Sequence, residues 1–213
     1  MLLSVSYNRS TRWLIRGILL GWLLSKFLSY RLWLPERSFP LLPVADLFHS
    51  IPPIVQVILF GLSVATLLIS LFMPHRKLLI LLLLLEILSC LFDQNRWQPW
   101  EYFFLFTIAA AALLRDAHAL RSAWITLLGG LYFFSGLYKI NNGFIHDVWQ
   151  QLLLHRWLHI HTSNTWLLRA GYGIGCVEML AGIALLLPGF RKQAALLLLF
   201  LHVVILWVLG PLG

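Results

Sequence analysis

Hydrophobic residues along this chain gather into long runs, separated by short connectors that are polar, basic or proline-containing. An α-helix rises 1.5 Å per residue and needs about 20 apolar residues to cross a hydrocarbon core of ~30 Å. By that rule the runs predict spans at 13–34, 54–73, 78–92, 100–114, 122–140, 167–187 and 194–212. Pro35, Pro52-Pro53, Pro74, Pro188-Gly189 and the pairs Arg76-Lys77 and Arg191-Lys192 mark the breaks. The expected fold is all-α: one transmembrane helical bundle over 1–213 with about seven spans. The count falls to six if the first span, which carries Arg16, Lys26 and Arg31, lies partly in the interface.

Two stretches depart from this ladder. The third and fourth spans are short and share the connector DQNRWQPWEY, which is expected to dip below the outer interface. The outer segment 141–166 reads as an amphipathic interfacial helix. Trp149, Leu152, Leu153, Trp157 and Ile160 fall on one face and Gln151, His155 and His159 on the other, with Asp147 as N-cap and Gln150 completing a capping box.

Composition supports the membrane reading. The chain is 60% hydrophobic and 11% charged, with ten Trp and fourteen Phe, whereas a soluble domain carries about 25% charged residues. A disordered chain, a secreted disulfide scaffold and almost any soluble enzyme are excluded on these grounds. Cys90 and Cys176 lie inside apolar runs and make no disulfide framework or zinc-type spacing. The run 13–34 is too long for a signal-peptide core.

The net charge of +8 does not indicate nucleic acid, because the basic residues stand singly or in pairs at the ends of runs, where topogenic charge belongs. Arg9, Arg12, Arg76, Lys77, Arg115, Arg121, Arg191 and Lys192 fall on one side; Arg37, Arg96 and Arg156 fall on the other, with Glu36, Asp46, Asp93, Glu101 and Asp147. The bias predicts a cytoplasmic N-terminus and an outer C-terminus.

Ionisable groups within spans are functional candidates. They are Lys26, Glu86, Lys139, Arg169, Glu178 and His202. Lys26 and Arg169 lie near span ends, where long side chains are expected to snorkel to the headgroups. Glu86, Glu178 and His202 lie deeper. Glu178 and His202 reach roughly 12–14 Å depth on adjacent antiparallel helices, and are expected to face each other or share a polar pocket. His155 and His159, at i and i+4, are weak metal candidates, and no metal is assigned. The Gly171-x-x-x-Gly175 spacing and Ser135-Gly136 allow close helix approach.

The segment LYFFSGLYKINNGFIHDVWQQLLLHRWLH places Gly-x-x-Lys at the end of an aromatic-rich helix, followed by a polar turn and an amphipathic stretch. It resembles the membrane domain of vitamin K-dependent gamma-glutamyl carboxylases and their bacterial relatives, the horizontally transferred transmembrane (HTTM) proteins. Glu178, Arg191 and His202 follow in the order found there, and the likeness covers roughly 91–209. The Gly-x-x-Lys end is also similar to DoxX and MauE-like redox-associated membrane proteins. The resemblance implies that Lys139 is a base or anion holder, and that a quinone-like ligand occupies an outward-facing pocket. Asp93, Arg96, Trp97, Trp100 and Tyr138 would line it, with Asp93 as the partner of Lys139. Peptide carboxylation is not expected, because Trp100 replaces the family's connector His and the family's large outer domain does not follow. The alternative is a non-catalytic accessory subunit packed against a larger membrane complex. The expected setting is the lipid bilayer of a bacterial inner membrane.

Overall fold

The computed structural model describes residues 7–35, 39–162 and 164–209. Glu36, Arg37 and both chain termini, which the orientation argument used, lie outside those residues. Regular structure among the described residues is helical throughout. It comprises α1 (Arg9–Leu28), α2 (Tyr30–Trp33), α3 (Pro53–Phe72), α4 (Arg76–Phe92), α5 (Pro99–Leu113), α6 (Ala117–Tyr138), a π-helix (Phe144–Trp157), α7 (Thr165–Leu186) and α8 (Arg191–Leu209), with 3-10 turns at Asp46–Ser50 and Gln94–Arg96.

Sequence explains most boundaries. The side chains of Asn8, His75 and Asn164 accept backbone N–H bonds at the starts of α1, α4 and α7. Pro53 and Pro99 open α3 and α5, where a missing N–H costs nothing.

Among the described residues two helices, α3 and α7, are by length and composition long and apolar enough to cross a membrane. Length and charge set α1, α4 and α5 apart from these two. At 17 and 15 residues, α4 and α5 extend roughly 25 and 22 Å. Helix α1 has the length but carries Arg9, Arg12, Arg16 and Lys26.

The chain divides into two compact units, Met1–Ala123 and Trp124–Gly213. In the first, α1, α3, α4 and α5 close a ring in which each helix packs on the next and α5 returns to α1. At one end of this ring arginines cover helix carboxyl ends. The Arg16 guanidinium donates to the carbonyls of Leu71 and Phe72 (3.1 and 3.0 Å), and Arg76 donates to that of Leu113 (3.3 Å), which satisfies orphan carbonyls and complements the dipole. At the other end the segment around Leu42 and Val44 lies on the connector through Val44 N–H to Leu91 O (3.0 Å) and Gln94 N–H to Leu42 O (2.7 Å).

The first unit is apolar outside and polar within. Gln56, Ser63 and Ser70 recur every seven residues on the buried face of α3, whereas Ile54, Ile58, Leu62, Ile69 and Phe72 are exposed. Lys26, Glu86, Asp93, Arg96 and Glu101 are all 0% exposed.

In the second unit a glycine seam joins α6 to α7. A Cβ on Gly182 would lie 2.5 Å from the backbone N of Phe133, and one on Gly175 2.8 Å from the carbonyl O of Gly136. Gly136 and Gly129 occupy the matching places on α6, so the two backbones touch as small residues permit. Ala181 and Leu185 of α7 pack with Ala194 and Leu198 of α8 to form this unit's apolar core.

The segment expected to be an interfacial α-helix is wound as a π-helix and starts earlier than Asp147. Asn141 supplies the cap instead: its Oδ1 accepts from Phe144 N–H at 2.9 Å, and Gly143 is the N-cap position. Its apolar side packs onto α7. Ile145 and Trp149 lie over Gly171, and the Trp149 indole donates to Leu167 O at 2.9 Å.

Candidate functional site

The second unit encloses a cavity of about 300 Å³. The π-helix forms one wall with Phe144, Val148, Trp149, Leu152 and Leu153, and α8 another with Leu198, Leu201 and Ile205. Four polar side chains interrupt this apolar lining: Tyr132, Lys139, Glu178 and His202.

The glycine seam positions the first pair. Lys139 follows directly after α6, and its Cβ lies close to Gly175 of α7. The ammonium therefore reaches Glu178, three residues along α7, and forms an ion pair with it while donating to Ser135 Oγ at 3.1 Å. The side chains keep 21% and 10% of their exposure, so the pair sits at the cavity wall rather than in a sealed interior. An ammonium has three donors. Glu178 and Ser135 take two, which leaves one to meet an oxygen in the cavity.

His202 supplies a complementary group. Its Nδ1 is 2.9 Å from the carbonyl of Leu198, so the proton is assigned to Nδ1 and Nε2 is left as an acceptor. Nε2 is 3.5 Å from the Tyr132 hydroxyl, and the two rings meet edge to face with centroids 5.6 Å apart. A cation donor and an imidazole acceptor thus share one largely apolar chamber. Such a chamber can bind a flat lipophilic molecule by its ring and fix it by its oxygens.

The structure gathers Lys139, Glu178 and His202 at this cavity and places the other expected residues elsewhere. Glu178, not Asp93, is the counter-ion of Lys139. Asp93 and Arg96 belong to the first unit, with Asp93 Oδ2 3.7 Å from Arg96 Nε. The Arg96 guanidinium donates to Ser89 O and Oγ (both 2.9 Å), to Trp33 O (3.0 Å) and to Gln56 Oε1 (2.8 Å), which makes it a clamp between helices. Trp97 stacks on Tyr102 at 4.9 Å. Trp100 borders a shallow surface groove with Tyr30, Leu32 and Phe39. Tyr138 is 79% exposed and points outward. His155 lies against His161, centroids 4.9 Å apart, while His159 is past the end of the π-helix at φ 54°, so the expected i, i+4 register is absent. Among the described residues no group of three or more His, Cys, Asp or Glu is placed to hold a metal.

The largest correction concerns Lys26. It does not snorkel. Its Nζ lies 2.7 Å from Glu86 Oε2, 4.0 Å from Glu101 Oε1 and 3.1 Å from the centroid of the Trp33 ring. Ser63 donates to the other Glu86 oxygen, and the Trp22 indole donates to Glu101 Oε2 at 2.8 Å. Sequence reasoning missed Glu101, Trp22, Trp33 and Ser63. Two signals were present: Trp22 and Lys26 one turn apart on α1, and the seven-residue polar spacing on α3.

No family model, curated protein or solved structure matches this chain.

Proposed function

We propose that this is a multi-pass membrane protein whose second unit binds a lipophilic ligand with a polar ring, of the quinone class. The observation that carries the reading is the 300 Å³ cavity, apolar except for the Lys139–Glu178 pair and the Tyr132–His202 pair. One ring oxygen accepts from Lys139, and in the reduced, hydroquinone form the other donates its hydroxyl to His202 Nε2. The HTTM-like segment 131–159 supports the same ligand class, with Lys139 as its anion holder. Because Glu178 neutralises Lys139, the resting role is that of a donor; the amine becomes a base only when a proton leaves it.

The membrane half of the proposal rests on the inverted surface of the first unit, with large apolar side chains outside and charges inside. Trp13 (61% exposed), Leu24, Phe27 and Leu28 of α1 and Ile54, Ile58 and Phe72 of α3 would otherwise face water. A seven-span path, N-terminus in the cytoplasm of a bacterial cell, agrees with Arg16 and Arg76 gathered at one end of the first ring.

The test is extraction of the protein into lipid nanodiscs without prior stripping, followed by mass spectrometry of the bound lipids. Wild-type protein should carry a quinone. Lys139→Met, which keeps length and removes charge, should retain at least about tenfold less, as expected for loss of one charge-assisted hydrogen bond. A wild-type protein free of quinone, or a Lys139→Met protein that keeps its full complement, would refute the assignment.

A further inference from the structure

Among the described residues the interior of the first unit holds five acidic or basic side chains with no exposure: Lys26, Glu86, Asp93, Arg96 and Glu101. Around Lys26 one ammonium meets two carboxylates, Glu86 and Glu101, so full ionisation of these three would leave one negative charge in excess. Their contacts identify which group stands apart. Arg96 is held by Ser89, Gln56, the Trp33 carbonyl and Asp93. Both oxygens of Glu86 are engaged, one by Lys26 at 2.7 Å and one by the Ser63 hydroxyl. Glu101 receives only the Trp22 indole, on Oε2. Its Oε1 is buried without a hydrogen-bond partner and lies 4.0 Å from the Lys26 ammonium.

We propose that Lys26, Glu86 and Glu101 form a proton-binding site, with one exchangeable proton held on Glu101. Protonation removes the surplus charge, and a neutral carboxyl with an unpartnered oxygen is far cheaper to bury than a carboxylate. Both Glu86 oxygens, by contrast, already have donors in Lys26 and Ser63. When the proton leaves Glu101, Lys26 needs only a short swing to share itself between the two carboxylates. Trp33, whose ring lies under the ammonium, keeps that swing in plane. The titratable and charged groups at the site are Lys26 from α1, Glu86 and Cys90 from α4, Glu101 from α5 and Arg96 from the connector; α3 contributes the uncharged Ser63.

Infrared difference spectroscopy of the full chain in nanodiscs, recorded across a pH jump, reads a protonated carboxyl directly. The expected result is one carboxyl band at neutral pH that shifts in deuterium oxide and vanishes in Glu101→Gln. Glu178→Gln should leave it unchanged, which separates this site from the ligand cavity. Lys26→Met deprives Glu86 of its counter-ion, so the band should grow about twofold as a second carboxyl takes a proton. If Glu101→Gln fails to fold, Trp22→Phe serves instead, removing the donor to Oε2 and moving the band's frequency at constant intensity. Absence of the band, its survival in Glu101→Gln, its loss in Glu178→Gln, or an unmoved frequency in Trp22→Phe would each overturn the proposal.

Discussion

Lys26 and Tyr7 show how single side chains tie the first unit together. Replacing Lys26 by Met leaves Glu86 buried without its cation, which costs about 3–5 kcal/mol in comparable buried pairs. Adding Glu86→Leu should recover most of that loss, because a well-packed apolar pair substitutes for an ionic one at little cost. Thermal unfolding of both variants checks this; a single variant as stable as wild type would show that the pair holds nothing. Tyr7 donates its hydroxyl to Ala111 O at 2.8 Å, and burial raises its pKa above the ordinary 10.0, opposed in part by the nearby charge of Arg76. Its neutral form is favoured in the folded state. The bond's contribution, about 1 kcal/mol, is therefore intact below pH 10 and lost as pH rises through the raised value. Tyr7→Phe should unfold more readily at neutral pH and lose less on going to alkaline pH. Of these two residues only the charge of Lys26 drew attention in the sequence. Its environment could not be read there, because a lysine near a span end reaches headgroups or a buried acid equally well. The choice depends on Glu86 and Glu101, 60 and 75 residues away in the chain.

At the scale of elements, the glycine seam between α6 and α7 gives a paired test on one helix face and its neighbour. Gly182→Ala would push a methyl group to within 2.5 Å of the Phe133 backbone, which cannot yield as a side chain can. Separation of the helices should cost about 1–3 kcal/mol and disturb the Lys139–Glu178 pair. Gly130→Ala meets nothing within 4 Å, so it should be neutral or stabilising by up to ~1 kcal/mol through helix propensity. Equal melting temperatures for the two variants would contradict the seam. The close approach of Gly136 and Gly175 was legible as a small-residue spacing. The π-winding of Phe144–Trp157 was not. The spacing of Trp149, Leu152 and Leu153 fits one face of an α-helix as well as of a π-helix, and only the hydrogen-bond ladder distinguishes them, as in Leu158 N–H to Leu153 O at 2.9 Å. The true cap lay in Asn141, six residues before the acid that the capping-box pattern favoured.

For the whole molecule, helical class and the apolar surface followed from composition, whereas the number of crossings did not, because the runs 78–92 and 100–114 form helices of only 17 and 15 residues, a length that a crossing helix and a buried one share. The proposed path makes a direct prediction. Asn164 caps the start of α7 and Gln193 lies beyond its end, both exposed, and the 22 residues between the helix ends extend about 33 Å. With Cys90 and Cys176 replaced by Ala, single cysteines at Asn164 and Gln193 should react with an impermeant thiol reagent from opposite sides of the bilayer; reaction from the same side would refute the path. Helices α4 and α5 carry a different consequence. Their 17 and 15 residues leave them some 5–8 Å short of an average hydrocarbon thickness. On the proposed seven-span path the surrounding lipid thins to meet them, at fractions of a kcal/mol for each ångström. The proposed path therefore makes the protein an inclusion that prefers a thin membrane: reconstituted in phosphatidylcholine of decreasing acyl length, its melting temperature should rise, and in a mixture of long and short chains it should gather the short ones around its first unit.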